Sequence, residues 1–260
     1  LSFAERPMSL VARFGLSSLI TALLPTFAAI AVHEHPKQLR ATVSQMLRIL
    51  VFISVPLGIL LAALRVPIIA ALFERGSFDA DSTLLTSSIF AALAIGFCPL
   101  AVTVATSTVF KSMQDTKTAA FLGGGSCLVS KVFFNFILIA PLGAVGLALA
   151  TSLQYTASSL LLLVCLRKRL EGLDLRPLLS TTVKVIAASS IVYLVVDWIV
   201  QITQLPPLGV CLLGSAVGAT VYLALAFLLK IEELTVIYSH CAESQVLRRF
   251  VPLRIQKILP

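Results

Sequence analysis

Long apolar runs separated by short polar connections form the dominant pattern along the chain. Crossing a bilayer core of about 30 Å takes a helix of about 20 apolar residues, because the backbone must satisfy its own hydrogen bonds there. Seven stretches meet that requirement, at residues 8–32, 47–64, 83–110, 119–140, 145–166, 179–200 and 208–229. The pattern therefore predicts an all-α fold, a polytopic bundle of about seven transmembrane helices.

The connections between these runs are short and rich in turn-forming residues. They contain His35-Pro36, Arg75-Gly76-Ser77, Gln114-Asp115, Pro141-Leu142-Gly143, Glu171-Gly172 and Pro206-Pro207. The apolar stretch at residues 66–73 is too short to cross a membrane, so it either lies at the interface or extends the second helix. No connection is long enough to hold an inserted soluble domain.

Composition supports a membrane protein and argues against a soluble enzyme. Hydrophobic residues make up 58% of the 260 residues and charged residues only 12%, whereas soluble domains carry about 25% charged residues. The mean hydropathy is +1.00. Lys and Arg exceed Asp and Glu by 20 to 12, but they lie between the apolar runs rather than on one stripe, which does not favour nucleic acid as a partner.

The distribution of these bases predicts the orientation, because Lys and Arg near span ends are retained in the cytoplasm. Only Arg65 and Arg75 lie at one set of helix ends. The other set holds fifteen bases: Lys37, Arg40, Arg48, Lys111, Lys117, Arg167, Lys168, Arg169, Arg176, Lys184, Lys230, Arg248, Arg249, Arg254 and Lys257. The C-terminus is thus predicted to be cytoplasmic, and an odd number of spans puts Leu1 on the opposite side.

Three bases, Arg6, Arg13 and Lys131, lie inside or beside predicted spans. A cation at the centre of a span costs about 2.5–3.5 kcal/mol on insertion scales, so it usually faces a partner or a wet cavity. Lys131 shares a helical face with Asn135, four residues later, which indicates an anionic ligand, a polar cluster or neutralisation by a lowered pKa. Arg6 and Arg13 lie about two turns apart, and snorkelling to the interface is the favoured interpretation for Arg13.

Enzyme signatures are weak. His33-Glu34-His35 is a loop tripeptide with diverging side chains, so it does not favour a metal site, and no glycine-rich phosphate loop occurs. We therefore expect neither catalysis nor a cofactor. The chain begins at Leu1 rather than Met, without a basic leader and cleavage site, and we expect a fragment of something longer.

Several motifs occur in a family's order and spacing. They are Ala4-Glu5-Arg6, Leu23-Leu24-Pro25, the stretch LFERGSFDA at residues 72–80, FKSMQDTKT at residues 110–118, and Asn135 followed by PLGAVGLALATSL at residues 141–153. Together they resemble the MurJ/MviN lipid II flippases, from residue 3 to about residue 169. The last two spans resemble that family's thirteenth and fourteenth helices by position more than by motif.

The resemblance implies helices eight to fourteen of a fourteen-helix flippase, with an N-terminal lobe of helices one to seven as the missing partner. Residues 1–170 would belong to the C-terminal transport lobe, residues 171–230 would form a lipid-tail groove, and residues 231–260 would be a basic amphipathic cytoplasmic tail. The implied activity is translocation of lipid II, an undecaprenyl-pyrophosphate glycolipid, across the bacterial inner membrane among its lipids. Arg6 would bind the headgroup, with Lys131 and Asn135 as further substrate-binding candidates and Glu5 and Arg13 as additional ones.

The sequence also departs from the family pattern. Pro7, Ser9 and Arg13 are unusual near the cavity arginine, Ala119 replaces a proline, and Lys131 stands where another polar residue is common. These differences leave two alternatives open. One is an exporter of polysaccharide-lipids or drugs from the same superfamily, and the other is a degenerate scaffold that does not transport.

Overall fold

A computed structural model of the chain describes residues 2–11, 36–74, 79–170, 176–203, 205–229 and Glu233. Within this part the backbone forms α1 (Ser2–Val11), α2 (Pro36–Ala63), α3 (Arg65–Phe73), α4 (Ala80–Ile95), α5 (Phe97–Ser112), α6 (Thr116–Ala120), a π-helical turn (Phe121–Gly125), α7 (Ser126–Arg169), α8 (Arg176–Ile202) and α9 (Pro207–Leu228). The described residues contain no strand, and the all-α class is confirmed.

Some predictions lie outside the described residues. These are most of the first predicted span, the turns at residues 75–77 and 171–172, the cytoplasmic tail apart from Glu233, and Arg13.

Four helical runs in the described part are long and apolar enough to cross a membrane: Leu39–Ala63, Thr116–Arg169, Arg176–Ile202 and Pro207–Leu228. Helices α4 and α5, bent by 41° where they join, pass the same test together and count as a fifth crossing if the pair is one broken span. The Thr116–Arg169 run itself breaks at Gly143, so it contains two of the predicted spans. Predicted spans two to seven therefore each have a helical counterpart.

The break at Gly143 depends on a backbone conformation that glycine adopts at little cost. Gly143 has φ 54° and ψ −127°, outside the helical region. Beyond the break the chain folds back on itself, because a Cβ added at Gly146 would overlap the carbonyl oxygen of Leu138. The predicted Pro141-Leu142-Gly143 turn is thereby located, and each arm of α7 is long enough for about one crossing.

The predicted third span is two helices, bent at Gly96. Pro99 has no N–H to donate to the carbonyl of Ile95, and the Gly96 N–H donates to Leu93 O at 3.0 Å instead of to Ala92 O. The hydroxyl of Ser152 on α7 donates to the freed Ala92 carbonyl at 2.6 Å. Gly96 also lies so close to Ser152 that an added Cβ would be 2.8 Å from its Cα, so the bend forms where α7 crosses.

The short apolar stretch after α2 extends that helix. Only Leu64 separates α2 from α3, and backbone hydrogen bonds run across it, from Leu64 N to Leu60 O at 2.9 Å and from Ile68 N to Leu64 O at 3.0 Å. Of the two predicted placements for residues 66–73, extension of the second helix is the observed one.

Buried side chains form two clusters. The larger lies among α1, α2, α4, α5 and α7 and includes Phe90, Phe97, Phe110 and Leu162. The smaller joins α2 to α8 and α9 through Phe52, Val192 and Tyr222 among others. Helix α2 contributes to both clusters and packs on α8, and α3 packs on α9, so these two helices tie the last two helices to the remainder of the described fold. The predicted domain boundary at residue 170 stays a prediction.

Candidate functional site

Arg6 lies on the exposed side of α1. Ala4 and Met8, one turn apart, are buried at 0% and 8% exposure against the core, and α1 packs on α4. The opposite face of the helix points away from that contact and carries exposed side chains, namely Glu5, Arg6 and Ser9. The guanidinium is therefore presented on an open face of a helix that the core holds in place.

An aromatic contact fixes this short helix against α3 as well. The ring of Phe3 packs edge-on against Phe73 at the end of α3, with centroids 5.2 Å apart. The Ser9 hydroxyl donates to the Arg6 carbonyl at 2.8 Å, so the serine that departs from the family pattern is engaged by the backbone of α1.

Lys131 and Asn135 occupy the first arm of α7. Lys131 is exposed, and Asn135 is half-buried. The Asn135 Oδ1 atom is buried and accepts no hydrogen bond from the described residues. Exposed Val132, Phe133 and Phe136 surround the pair. This arm thus combines a cation and an available amide oxygen with a largely apolar surface.

The predicted residues lie on two separate helices, Arg6 on α1 and Lys131 with Asn135 on α7. Their roles in binding stay predictions. Within the described residues, no group of three or more His, Cys, Asp or Glu side chains is placed to hold a metal ion.

An apolar groove of about 300 Å³ lies between α2, α8 and α9. Phe52, Pro56 and Leu60 of α2 form one wall, and Gly218 and Tyr222 of α9 form the other. Gly218 brings α9 close to α2, because a Cβ there would lie 2.8 Å from Leu60 Cδ1. The groove has the apolar lining that a hydrocarbon chain needs.

A proline and a tyrosine together shape the wall of this groove. Pro56 lacks the N–H that would donate to the Phe52 carbonyl one turn earlier. Tyr222 supplies the replacement, because its hydroxyl donates to Phe52 O at 2.7 Å. A hydroxyl buried against hydrocarbon is tolerated only with such a partner, so this bond fixes α9 on α2.

Glu233 forms a polar contact that sequence reasoning missed. It is 3% exposed, accepts a hydrogen bond from Thr181 Oγ1 at 2.9 Å, and lies 3.4 Å from Arg48 Nη1. It thereby ties the segment after α9 to α2 and α8. The sequence did show that Glu233 lies just past the last apolar run, on the side predicted for Arg48. It did not show that these two side chains pair.

The ends of α5, α6 and α7 lie together and carry exposed bases. Asp115 caps α6 by accepting from the Thr118 N–H at 3.1 Å. That hydrogen bond, the bond from the Thr118 hydroxyl and the charges of Arg169 and Lys117 lower the pKa of the Asp115 carboxyl. Lys117 and Arg169, assigned to the same side by sequence, are thus close enough to act on one carboxylate.

Comparison with known proteins gives one consistent match. The sequence model of a family described as lipid II flippase MurJ matches residues 1–207. The lipid II flippase MurJ of Burkholderia cenocepacia is 27% identical over 169 residues, covering 65% of this chain and 33% of that protein. The probable lipid II flippase MurJ of Thermotoga maritima is 31% identical over 185 residues, covering 70% and 36%.

A solved structure also shares the fold. Lipid II flippase MurJ in an inward closed conformation aligns with a TM-score of 0.74 at 20% identity, over 90% of this chain and 48% of that one. The chain thus spans about half the length of that structure and about a third of the length of these two relatives.

Proposed function

The chain belongs to the lipid II flippase MurJ family, and from that premise we propose that it forms the C-terminal part of a transporter of lipid II. It would act with an N-terminal lobe equivalent to helices one to seven. Together the two lobes would move the undecaprenyl-pyrophosphate glycolipid from the cytoplasmic to the periplasmic leaflet of the inner membrane. The family match favours this activity over an exporter of polysaccharide-lipids or drugs.

One observation carries the proposal: Arg6 stays exposed on a helix that Ala4 and Met8 anchor in the core, within the segment that the family model matches. An arginine fork suits a pyrophosphate because it donates two parallel hydrogen bonds to phosphate oxygens. Facing a second lobe, this guanidinium would line a wet passage. Lys131 and Asn135 would add a cation and an amide to its wall.

The groove between α2, α8 and α9 would hold the polyprenyl tail. Because its lining is apolar, the tail would stay out of water while the headgroup crosses. The unfavourable free energy of exposing the tail to water would thus be avoided. Two lobes rocking about a central site would give alternating access. The cytoplasmic C-terminus predicted from the distribution of bases belongs to the same proposal.

Complementation tests this activity. Cells depleted of their own flippase would receive this chain together with a matching N-terminal lobe, and lipid II flipping would be measured along with the amount of each protein in the membrane. We expect rescue by the wild-type chain, none by Arg6→Ala and partial rescue by Arg6→Lys. Arg167→Ala, which removes an exposed base at the end of α7, is the matched control and should rescue fully.

Two outcomes would count against the proposal in different ways. Full rescue by Arg6→Ala would defeat the assignment of Arg6 to the headgroup. Absence of rescue by the wild-type chain, with both proteins present in the membrane, would defeat the transport function and favour a scaffold.

A further inference from the structure

Arg65 lies at the end of the molecule opposite the fifteen bases predicted to be cytoplasmic. It begins α3 and is half-buried. Its Nη1 donates to the Tyr193 hydroxyl of α8 at 3.4 Å. Neither the lipid-tail groove nor the face that carries Arg6 includes this pair, so the proposed transport function leaves it unexplained.

A second cavity lies beside this pair. Its volume is about 460 Å³, and it is formed by α2, α4 and α8 together with Arg65. None of its lining residues belongs to the apolar groove at Tyr222. Its walls include Ile59, Ala91, Ile95 and Leu194, with Arg65 and Tyr193. Ile95 and Leu194 are 66% and 68% exposed, so the cavity opens between apolar side chains at the surface of the described fold. An acyl chain can enter it from the bilayer.

The charged groups beside the cavity, Arg65 and Asp197, follow one another toward the C-terminal end of α8. Among the described residues, no ion pair joins Arg65 to a carboxylate. Asp197 lies four residues beyond Tyr193 and so on the same helical face, one turn closer to the helix end. Its Oδ2 accepts from Gln201 Nε2 at 2.8 Å. Going outward, the surface thus presents an apolar cavity, then a cation, then an anion.

We propose that this surface binds a phospholipid with a primary ammonium headgroup, of the phosphatidylethanolamine class, in the leaflet at the Arg65 end. One acyl chain lies in the cavity, the phosphate binds the guanidinium of Arg65, and the ammonium binds Asp197. The phosphate and the ammonium of an extended ethanolamine headgroup are separated by roughly one helical turn, about 5.4 Å, which is the step from Tyr193, the partner of Arg65, to Asp197. The site is independent of lipid II transport.

The same order of charges disfavours other headgroups. A glycerol headgroup would satisfy Arg65 through its phosphate but would leave Asp197 without a cation. A choline headgroup carries a methylated ammonium that has no N–H to donate. Selectivity for the primary amine therefore distinguishes this site from simple snorkelling of Arg65 to the interface, which needs no particular lipid.

Native mass spectrometry of the purified full chain tests the site. The protein would be titrated with phosphatidylethanolamine, phosphatidylglycerol and phosphatidylcholine of identical acyl chains. We expect the ethanolamine lipid to bind most tightly, and Arg65→Ala to weaken its binding roughly tenfold. Asp197→Asn should weaken the ethanolamine lipid and strengthen phosphatidylglycerol. Arg167→Ala, on the predicted cytoplasmic side, is the matched control and should change nothing.

Equal binding of all three lipids, or ethanolamine binding unchanged in both Arg65→Ala and Asp197→Asn, would overturn the proposal. If Arg65→Ala does not give a monodisperse protein, Asp197→Asn carries the test alone. Its expected effect is a reversal of headgroup preference, which a general loss of structure would not produce.

Discussion

Two backbone carbonyls lose their helical donors where helices depart from regular geometry, and a hydroxyl from another helix serves each of them. Pro56 leaves the Phe52 carbonyl free, and Tyr222 donates to it. The bend at Gly96 leaves the Ala92 carbonyl free, and Ser152 donates to it. In hydrocarbon an unpaired carbonyl costs several kcal/mol, so these side chains compensate for breaks encoded far away in the chain.

Replacing the Tyr222 hydroxyl tests that compensation. Tyr222→Phe keeps the ring, which packs 5.3 Å from the ring of Phe52, but leaves the carbonyl unpaired. We expect the free energy of unfolding to fall by about 1–3 kcal/mol, measured by denaturant titration in detergent. Ser190→Ala is the control, because the Ser190 hydroxyl is exposed and donates only within its own helix, to Ile186 O. Equal stability of the two variants would refute the compensation.

At the scale of elements, apolar runs and turn residues predict where helices exist better than how they bend. Predicted spans two to seven all have helical counterparts, and the turns at Gln114-Asp115 and Gly143 occur where they were expected. The bend at Gly96 was missed because no charged residue interrupts the run, although Pro99 stood within it. The glycines at residues 123–125 form part of a π-helical turn, and an added Cβ at Gly123 would lie 2.9 Å from Ser107 Oγ.

The break in α7 gives a prediction at this scale. Gly143→Ala forces a side chain into a conformation at φ 54° that residues with a Cβ rarely adopt. We expect a loss of about 1–3 kcal/mol in the free energy of unfolding, measured by denaturant titration. Gly125→Ala is the control, because Gly125 is helical and its added Cβ would lie 3.9 Å from Phe121. If Gly143→Ala proved as stable as the control variant, the break would need no glycine.

The cap of α6 gives a prediction about pH. The pKa of the Asp115 carboxyl is lowered from 3.8 in the fold. The carboxylate therefore stabilises the start of α6 fully above pH 3.8, and this stabilisation is lost as the pH falls through the lower pKa of the folded protein. Hydrogen exchange at the Thr118 amide should therefore lose protection under acid conditions. Asp115→Asn, which caps without titrating, should keep its protection there; parallel loss in both proteins would exclude the carboxylate as the cause.

At the scale of the whole molecule, the contacts that unite distant segments were the part that sequence could not supply. Glu233 meets Arg48 and Thr181 from three separate segments, and only the folded chain brings them together. The predicted site fares similarly. Sequence singled out Arg6 because a cation inside hydrocarbon needs a reason, but whether it faces the same passage as Lys131 depends on an N-terminal lobe.

The described fold presents open surfaces that suit such a lobe. Arg6 is exposed on α1, and much of the first arm of α7 is exposed around Lys131. The groove between α2, α8 and α9 is lined by residues that do not belong to either of these surfaces. The packing of α2 against α8 and α9 holds the groove in place. This separation of the exposed cations from the apolar groove is what the proposed transport of an amphipathic lipid requires.

Translocation of lipid II in proteoliposomes tests the central claim most directly. This chain and a matching N-terminal lobe would be reconstituted together with fluorescent lipid II, and loss of the label's accessibility to an external quencher or enzyme would be followed over time. The account predicts transfer between leaflets only when both parts are present, and a loss of that transfer in Arg6→Ala. Transfer no faster than in liposomes holding the N-terminal lobe alone, with the chain inserted and folded, would contradict it.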